Sequence, residues 1–395
     1  MSKPGEGAVT EVLKGVRVVE LGTMITAPLA GMMLADLGAD VVKVERPDTG
    51  DPFRSFRGGL YSPHFIAFNR NKRSIALDLQ SEAGKAALRA LLRESDVLLD
   101  NYRSGVMDRL GLSAAFIRSE YPRLIWCSIT GFGADGPYAD RPAYDAVAGA
   151  LSGLASLMLD PAAPAASGPT IADNVTGMYA AYGILGALYE REKTGRGRRI
   201  ETNMLESSIA FIPDSFSNFT RLDIDNQPRT RVASSQSYAF RCADGRLLAL
   251  HLSSPQKFWE SLVEVVGQPE LKEDARFATR DARVRNYAIL EKELARVFSS
   301  RDRLHWMAKL ERADVPFAPI QTVAEVLDDP QVRHLRTFYG EDHPTEGHLT
   351  LIRRPVLIDG QREVTSRPPP TLGEHTSEIL AELGETDVPA CGAKV

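Results

Sequence analysis

The sequence predicts an α/β protein: a large domain with a parallel sheet and helices on both faces, plus a smaller α+β domain. Two observations carry this. Short β-branched apolar runs alternate with helix-length segments through the first half of the chain, as in a helix-covered parallel sheet. Over residues 213–233 the composition then turns polar and Pro-containing, which marks a crossover into a second unit. At 395 residues the chain is also long for a single core.

The elements read in order. Val16 to Leu21 (VRVVEL) is a buried parallel strand. Pro28 opens a helix through PLAGMMLADLG, and Gly38 ends it. Asp40 to Val44 is the second strand, which completes a βαβ unit. Ser81 caps a helix to about Arg93, with Ala83, Leu88, Leu91 and Leu92 on one side. Asp96–Leu99 and Arg123–Thr130 are further strands. A Pro/Ala loop at 160–169 precedes a long helix from about Asn174 to Glu192, whose Gly177, Gly183 and Gly186 admit a neighbouring backbone. Arg198 to Thr202 is a strand. Beyond the crossover, YAFRCADGRLLALHL is a hairpin about Asp244-Gly245, followed by helices over Pro255–Val266 and Ala288–Ala308. The tail is a loop and one short helix.

Composition narrows the function. Lys+Arg is 47 and Asp+Glu is 52, a net charge of −5, which argues against nucleic acid as partner. No run of apolar residues is long enough for a membrane span, and the N-terminus has no apolar signal core. Cys127, Cys242 and Cys391 are widely spaced, and no Cys-x-x-Cys or His-Glu-x-x-His occurs. The expectation is a reduced, cytoplasmic, metal-free protein.

Three places draw chemical interest. The turn after the first strand, Gly22-Thr23-Met24-Ile25-Thr26-Ala27, has one glycine where a dinucleotide fingerprint needs three, and Met24 would block a pyrophosphate. Between Asp51 and Asp78 no acid occurs, while Arg54, Arg57, Arg70, Lys72 and Arg73 do; Arg46 precedes the window, and Arg103 and Arg109 follow in the next loop. That window reads either as a solvated basic loop or as a polyphosphate site at the strand ends. Asp173 stands at the start of the long helix. It reads either as an N-cap or as a carboxylate held ionised there for nucleophilic attack.

Taken together, LKGVRVVELG, ADLGADVVKVERP, NRNKRSIALDL, DNYRSGVMDRLGL, SITGFGADGPYADRPAYDAVAGALSGL, IADNVTGMYAAYGILGALYEREKTGRGRRIETNMLE and RPPPTLGEHT resemble the family III CoA-transferases over nearly the whole chain. The resemblance implies a Rossmann-like large domain built from both chain ends (1–215 and 335–395), a small α+β domain (230–325), and an interlocked homodimer. It implies that Asp173 is the nucleophile. It implies that Met24, Ile25, Thr26, Arg46, Leu77, Asn101, Tyr102, Arg109, Tyr144 and Asp145 form the coenzyme A site. Acyl-CoA and a small carboxylic acid are then substrates, with no permanently bound cofactor and no metal. Ile25 departs from the glutamine of formyl-CoA transferase. The glycine-rich loop of that enzyme's small domain is not visible, and RVASSQSY, with Ser234 and Ser235, is the comparable stretch. Arg54, Arg57 and Tyr61 are candidates for the pocket of a dicarboxylate. The related α-methylacyl-CoA racemases use a His-Asp pair, but this chain reads Pro142-Ala143-Tyr144-Asp145 there and lacks the histidine. A non-catalytic acyl-CoA-binding protein is the other alternative.

Overall fold

The computed structural model describes residues 11–57, 59–253, 255–362 and 366–384. Cys391 lies outside them. The described residues divide into two compact units. The first comprises those up to Ala155, Ala166–Pro213 and those from Arg336 onward; the second comprises Ser156–Ala165 and Asp214–Leu335.

The first unit is built on six parallel strands: β1 (Arg17–Glu20), β2 (Asp40–Glu45), β3 (Lys72–Ala76), β4 (Val97–Asp100), β5 (Ile125–Thr130) and β6 (Arg199–Asn203). Their order is β3-β2-β1-β4-β5-β6. Val18 pairs with Val41 on one side and Val97 on the other. The strand order therefore reverses between β1 and β4, and ligands of open α/β sheets bind outside the strand ends at such a point.

Side-chain alternation splits the core into two layers. Val18, Val41, Val97 and Ile125 pack on helix α1 (Thr26–Ala35) and on the long helix, through Ala27, Ala30, Ala180 and Ile184. Val19, Val42, Leu98 and Trp126 pack on Leu88 and Leu91 of the helix Glu82–Arg93, and on Ile379 near the C-terminus. Small residues on α1 and the long helix let the two approach closely. A Cβ on Gly177 would stand 2.7 Å from the carbonyl oxygen of Thr26. Nothing lies within 4 Å of that position on Gly186.

Strand β3 is the surprise of the sheet. Lys72, Arg73 and Ser74 are all buried on it. The acid-free window is not a solvated loop, because acids from other elements reach most of its cations. Lys72 pairs with Glu20, Arg70 with Asp36, and Arg54 with Glu45. Arg73 pairs with Asp40, Glu378 and Glu382. Arg54 is fully buried and also donates to the carbonyl of Pro370. It is thus unavailable for a substrate carboxylate. Tyr61 donates to the carbonyl of Pro369, and Arg57 is exposed.

The second unit carries an antiparallel sheet of Ser237–Arg241, Leu247–His251 and Phe317–Ile320. Gly245 turns the first hairpin with φ +75°. Tyr238 stacks on Tyr287, and Phe240 on Phe298. The span 288–308 forms two helices, Tyr287–Phe298 and Arg303–Arg312, separated around Ser299 and Ser300. Ser234 ends the short helix Thr230–Ser234, so RVASSQSY is not an open loop.

Candidate active site

Two cavities open at the switch point, both within the first unit. The smaller, about 240 Å³, is lined by Thr23 to Thr26 after β1, by Asn101 and Tyr102 after β4, and by Arg103, Arg141, Tyr144, Asp173 and Met204. The larger, about 1010 Å³, lies over the ends of β1 to β4. Arg46 and Leu77 line it, with Thr49, Asp78, Gln80 and Val106.

Asp173 sits in the first turn of the long helix, which spans Ile171–Thr194. The N-cap is Thr170, so Asp173 is not the cap. The Asp173 carboxylate makes no hydrogen bond or ion pair among the described residues, although Asp145 does accept the Asp173 backbone N–H at 3.1 Å. Asp145 thereby satisfies one of the helix's orphan amides. Asn174 turns away to the Thr170 carbonyl and hydroxyl.

Burial pushes the Asp173 carboxyl up, and the nearby Asp145 charge adds to it, to about 7. A helix N-terminus alone would lower it. Desolvation and a like charge outweigh the helix terminus here.

The turn Gly22–Ala27 is held from two sides. On one side, Asn101 Oδ1 accepts from the Thr23 N–H at 3.0 Å, and Asn101 Nδ2 donates to the Thr23 carbonyl at 2.8 Å and to the Thr26 hydroxyl at 2.9 Å. On the other, both oxygens of Asp51 accept the Met24 N–H at 3.1 Å. Met24 needs this support, since its φ of +65° lies in the left-handed region. Beneath the turn lies a buried charge network. Lys43 Nζ donates to the Gly22 carbonyl at 2.8 Å and pairs with Asp51 and Glu20, each at 2.9 Å. Lys72 also reaches Glu20, at 2.8 Å. All four of these side chains are fully shielded from solvent.

The structure thus brings Met24, Ile25, Thr26, Asn101, Tyr102, Tyr144 and Asp173 around one cavity, and Arg46, Leu77 and Tyr102 around the other. Asp145 meets the Asp173 backbone N–H without lining either. Arg109 is exposed and lines neither. Sequence reading named Arg103 only as a candidate cation for a polyphosphate, and it missed Thr23, Arg141 and Met204 as wall residues and Asp51 as a support. Arg141 lies 4.5 Å from the ring centre of Tyr138. Its position inside the quoted motif GPYADRPAYD was the one signal available. Among the described residues, no cluster of three or more His, Cys, Asp or Glu has metal-binding proximity. No helix there is long and apolar enough to cross a membrane.

Comparison with known proteins gives the family. The family model described as CoA-transferase family III matches residues 13–376. A human succinyl-CoA:glutarate CoA-transferase is 33% identical, with 96% of this chain and 88% of the relative covered. A formyl-CoA:oxalate CoA-transferase of Streptomyces avermitilis is 34% identical over 96% of this chain and 97% of its own. Among solved structures, a CaiB/BaiF family protein from Brucella suis superimposes with a TM-score of 0.82 at 32% identity, covering 94% of this chain and 99% of that one. The chain belongs to CoA-transferase family III and is a CoA-transferase.

Proposed function

We propose that the protein moves coenzyme A from an acyl-CoA to a free carboxylic acid through a covalent intermediate on Asp173. The observation that carries this reading is a carboxylate that has no protein partner among the described residues and shares a cavity wall with the turn Thr23–Thr26. The Asp173 carboxylate attacks the thioester carbonyl, the C–S bond breaks, and CoA thiolate leaves a mixed anhydride. The thiolate then attacks the aspartyl carbonyl, which expels the donor carboxylate and leaves an aspartyl-CoA thioester. The acceptor carboxylate runs the two steps in reverse. One thioester replaces another with no net proton change.

Each tetrahedral intermediate carries an oxyanion, and backbone amides of the turn supply its donors. The Ile25 N–H, at the start of α1, has no acceptor of its own among the described residues. Arg46 and Leu77 bind the nucleotide part in the larger cavity, where binding energy is converted into positioning at the thioester. Acyl-CoA is a substrate here, not a resident cofactor.

The acceptor is a short dicarboxylate. Arg103 and Arg141 line the Asp173 cavity with no carboxylate partner among the described residues, in contrast to the paired interior cations. The glutarate and oxalate in the relatives' names fit that class. The active assembly is a homodimer. The long helix exposes Met178, Tyr182 and Tyr189, the last two 75% and 67% accessible, an apolar face suited to a second copy. The free, buried Cys127 and Cys242 fit a cytoplasmic enzyme.

The test is peptide mapping after incubation with acyl-CoAs and a borohydride quench. Modification at Asp173, lost in Asp173→Asn together with transfer, is the expected result. An unmodified Asp173 with every donor, while CoA still binds, would overturn the covalent route.

A further inference from the structure

The two cavities share two wall residues, Thr23 and Tyr102. The turn after β1 and the turn after β4 therefore border both the larger chamber and the Asp173 chamber. Both walls are held from within the protein. The Tyr102 N–H donates to Asp100 Oδ1 at 3.2 Å, and Asp100 is itself buried and accepts from the Trp126 indole at 2.6 Å. Thr23 is held by Asn101 through its N–H and its carbonyl together.

The Asn101 side chain has little left to offer a ligand. Its amide has two N–H donors. One goes to the Thr23 carbonyl and the other to the Thr26 hydroxyl, while the Thr23 N–H occupies a lone pair of Oδ1. Asn101 reaches across 78 sequence positions to bind the turn, while Asp51 holds it at Met24. Membership of the wall and contact with coenzyme A are thus separable for this residue.

We propose that Asn101 is a positioning residue, not a coenzyme A ligand: it fastens Thr23 and Thr26, and so fixes the turn that borders both chambers and past which the thioester arm reaches Asp173. The inference rests on the CoA-transfer reading for what passes through, but not for the fastening itself. Asn101→Leu keeps the shape and removes all three hydrogen bonds.

Three readouts test it on the full-length protein. The first is amide hydrogen exchange of the peptide holding Thr23 and Met24, which speeds up in the variant. The second is equilibrium binding of adenosine 3′,5′-bisphosphate and of coenzyme A, which stays within about twofold of wild type. The third is the rate of Asp173 labelling at saturating acyl-CoA, which falls about 100-fold, the scale of an ångström misplacement at a reacting centre. Coenzyme A binding weakened tenfold or more at an unchanged labelling rate would make Asn101 a direct ligand and overturn the proposal. Unchanged exchange and labelling would overturn it too. If Asn101→Leu does not fold, Asn101→Ser, too short to span the three partners, takes its place with the same expectations. Failure of wild type to label Asp173 would count against the transfer mechanism, while hydrogen exchange would still decide the fastening.

Discussion

Asp145 accepts the backbone N–H of Asp173 at 3.1 Å, across 28 positions of sequence. One carboxylate thus caps the helix on which the other stands. The arrangement keeps the Asp173 side chain out of the capping task that Asp commonly performs at a helix start. It also places a second negative charge beside the first, and with burial this pushes Asp173 up to about 7.

The first consequence is a pH profile. The ionised carboxylate is the nucleophile, so single-turnover labelling of Asp173 rises with pH and levels off above about 7. Below that the rate falls about tenfold per pH unit. Asp145→Asn keeps an oxygen to accept the Asp173 N–H but removes the charge. Its ascending limb moves to lower pH, though not to the ordinary carboxylate range, because burial is the larger cause. A limb that does not move would assign the whole shift to desolvation.

A second consequence concerns stability. Asp173 binds its proton more tightly folded than unfolded, so ionising it weakens the fold between its unfolded value, near 3.8, and about 7. Asp173→Asn removes that charge. The variant unfolds at higher urea than wild type at pH 8, and the two converge below pH 4. Partial exposure limits the gain to roughly 1–2 kcal/mol, well below the full value of the shift. A variant that is less stable at pH 8 would mean that the carboxylate has stabilising partners.

The sheet was legible where burial meant apolar side chains, and illegible where it meant paired charge. Val18, Val41 and Val97 announce β1, β2 and β4 by hydrophobicity alone. β3 gives no such signal, because Lys72 and Arg73 are buried by carboxylates 33 or more positions away. Arg54 looked like a ligand-binding residue for a different reason: its acid, Glu45, lies only nine positions away but on β2, outside the acid-free window. Asp173 was found by its place in a motif, but which residue capped its helix depended on a contact that local sequence does not encode. The left-handed Met24 likewise follows from Asp51, since nothing in the residue itself favours that backbone.

Lys43 tests how far the turn depends on charge buried beneath it. Lys43→Met leaves Asp51 without its ion-pair partner and the Gly22 carbonyl without its donor, with Glu20 keeping only Lys72. Breaking a buried pair from one side costs about 3–5 kcal/mol, and urea unfolding reads it directly. A loss under about 1 kcal/mol would show that water or a rearranged Lys72 satisfies the two acids.

Gly177 tests the contact between α1 and the long helix. Alanine is worth about 1 kcal/mol over glycine in a helix interior. Here its Cβ would meet the Thr26 carbonyl oxygen at 2.7 Å and Leu29 at 3.1 Å, so the helices must part. Overpacking of this kind costs about 1–3 kcal/mol. Gly177→Ala is therefore destabilised despite its propensity, and the shift carries Asp173 relative to the turn Thr23–Thr26. Slower Asp173 labelling with unchanged binding of adenosine 3′,5′-bisphosphate is expected. Stability at or above wild type would mean that the two helices adjust without strain.

Gly186 separates the requirements of one chain from those of a pair. It lies on the long helix four residues after Tyr182 and three before Tyr189, so all three share one exposed face. No atom of its own chain stands within 4 Å of the Cβ position. Within a single subunit, replacing it should gain helix propensity and cost nothing in packing. Gly186→Trp therefore isolates the second copy. If that face is the dimer contact, the large ring enforces separation, and sedimentation shows monomer at concentrations where wild type is dimeric, with circular dichroism unchanged. A variant that stays dimeric would move the contact off the Tyr182 and Tyr189 face.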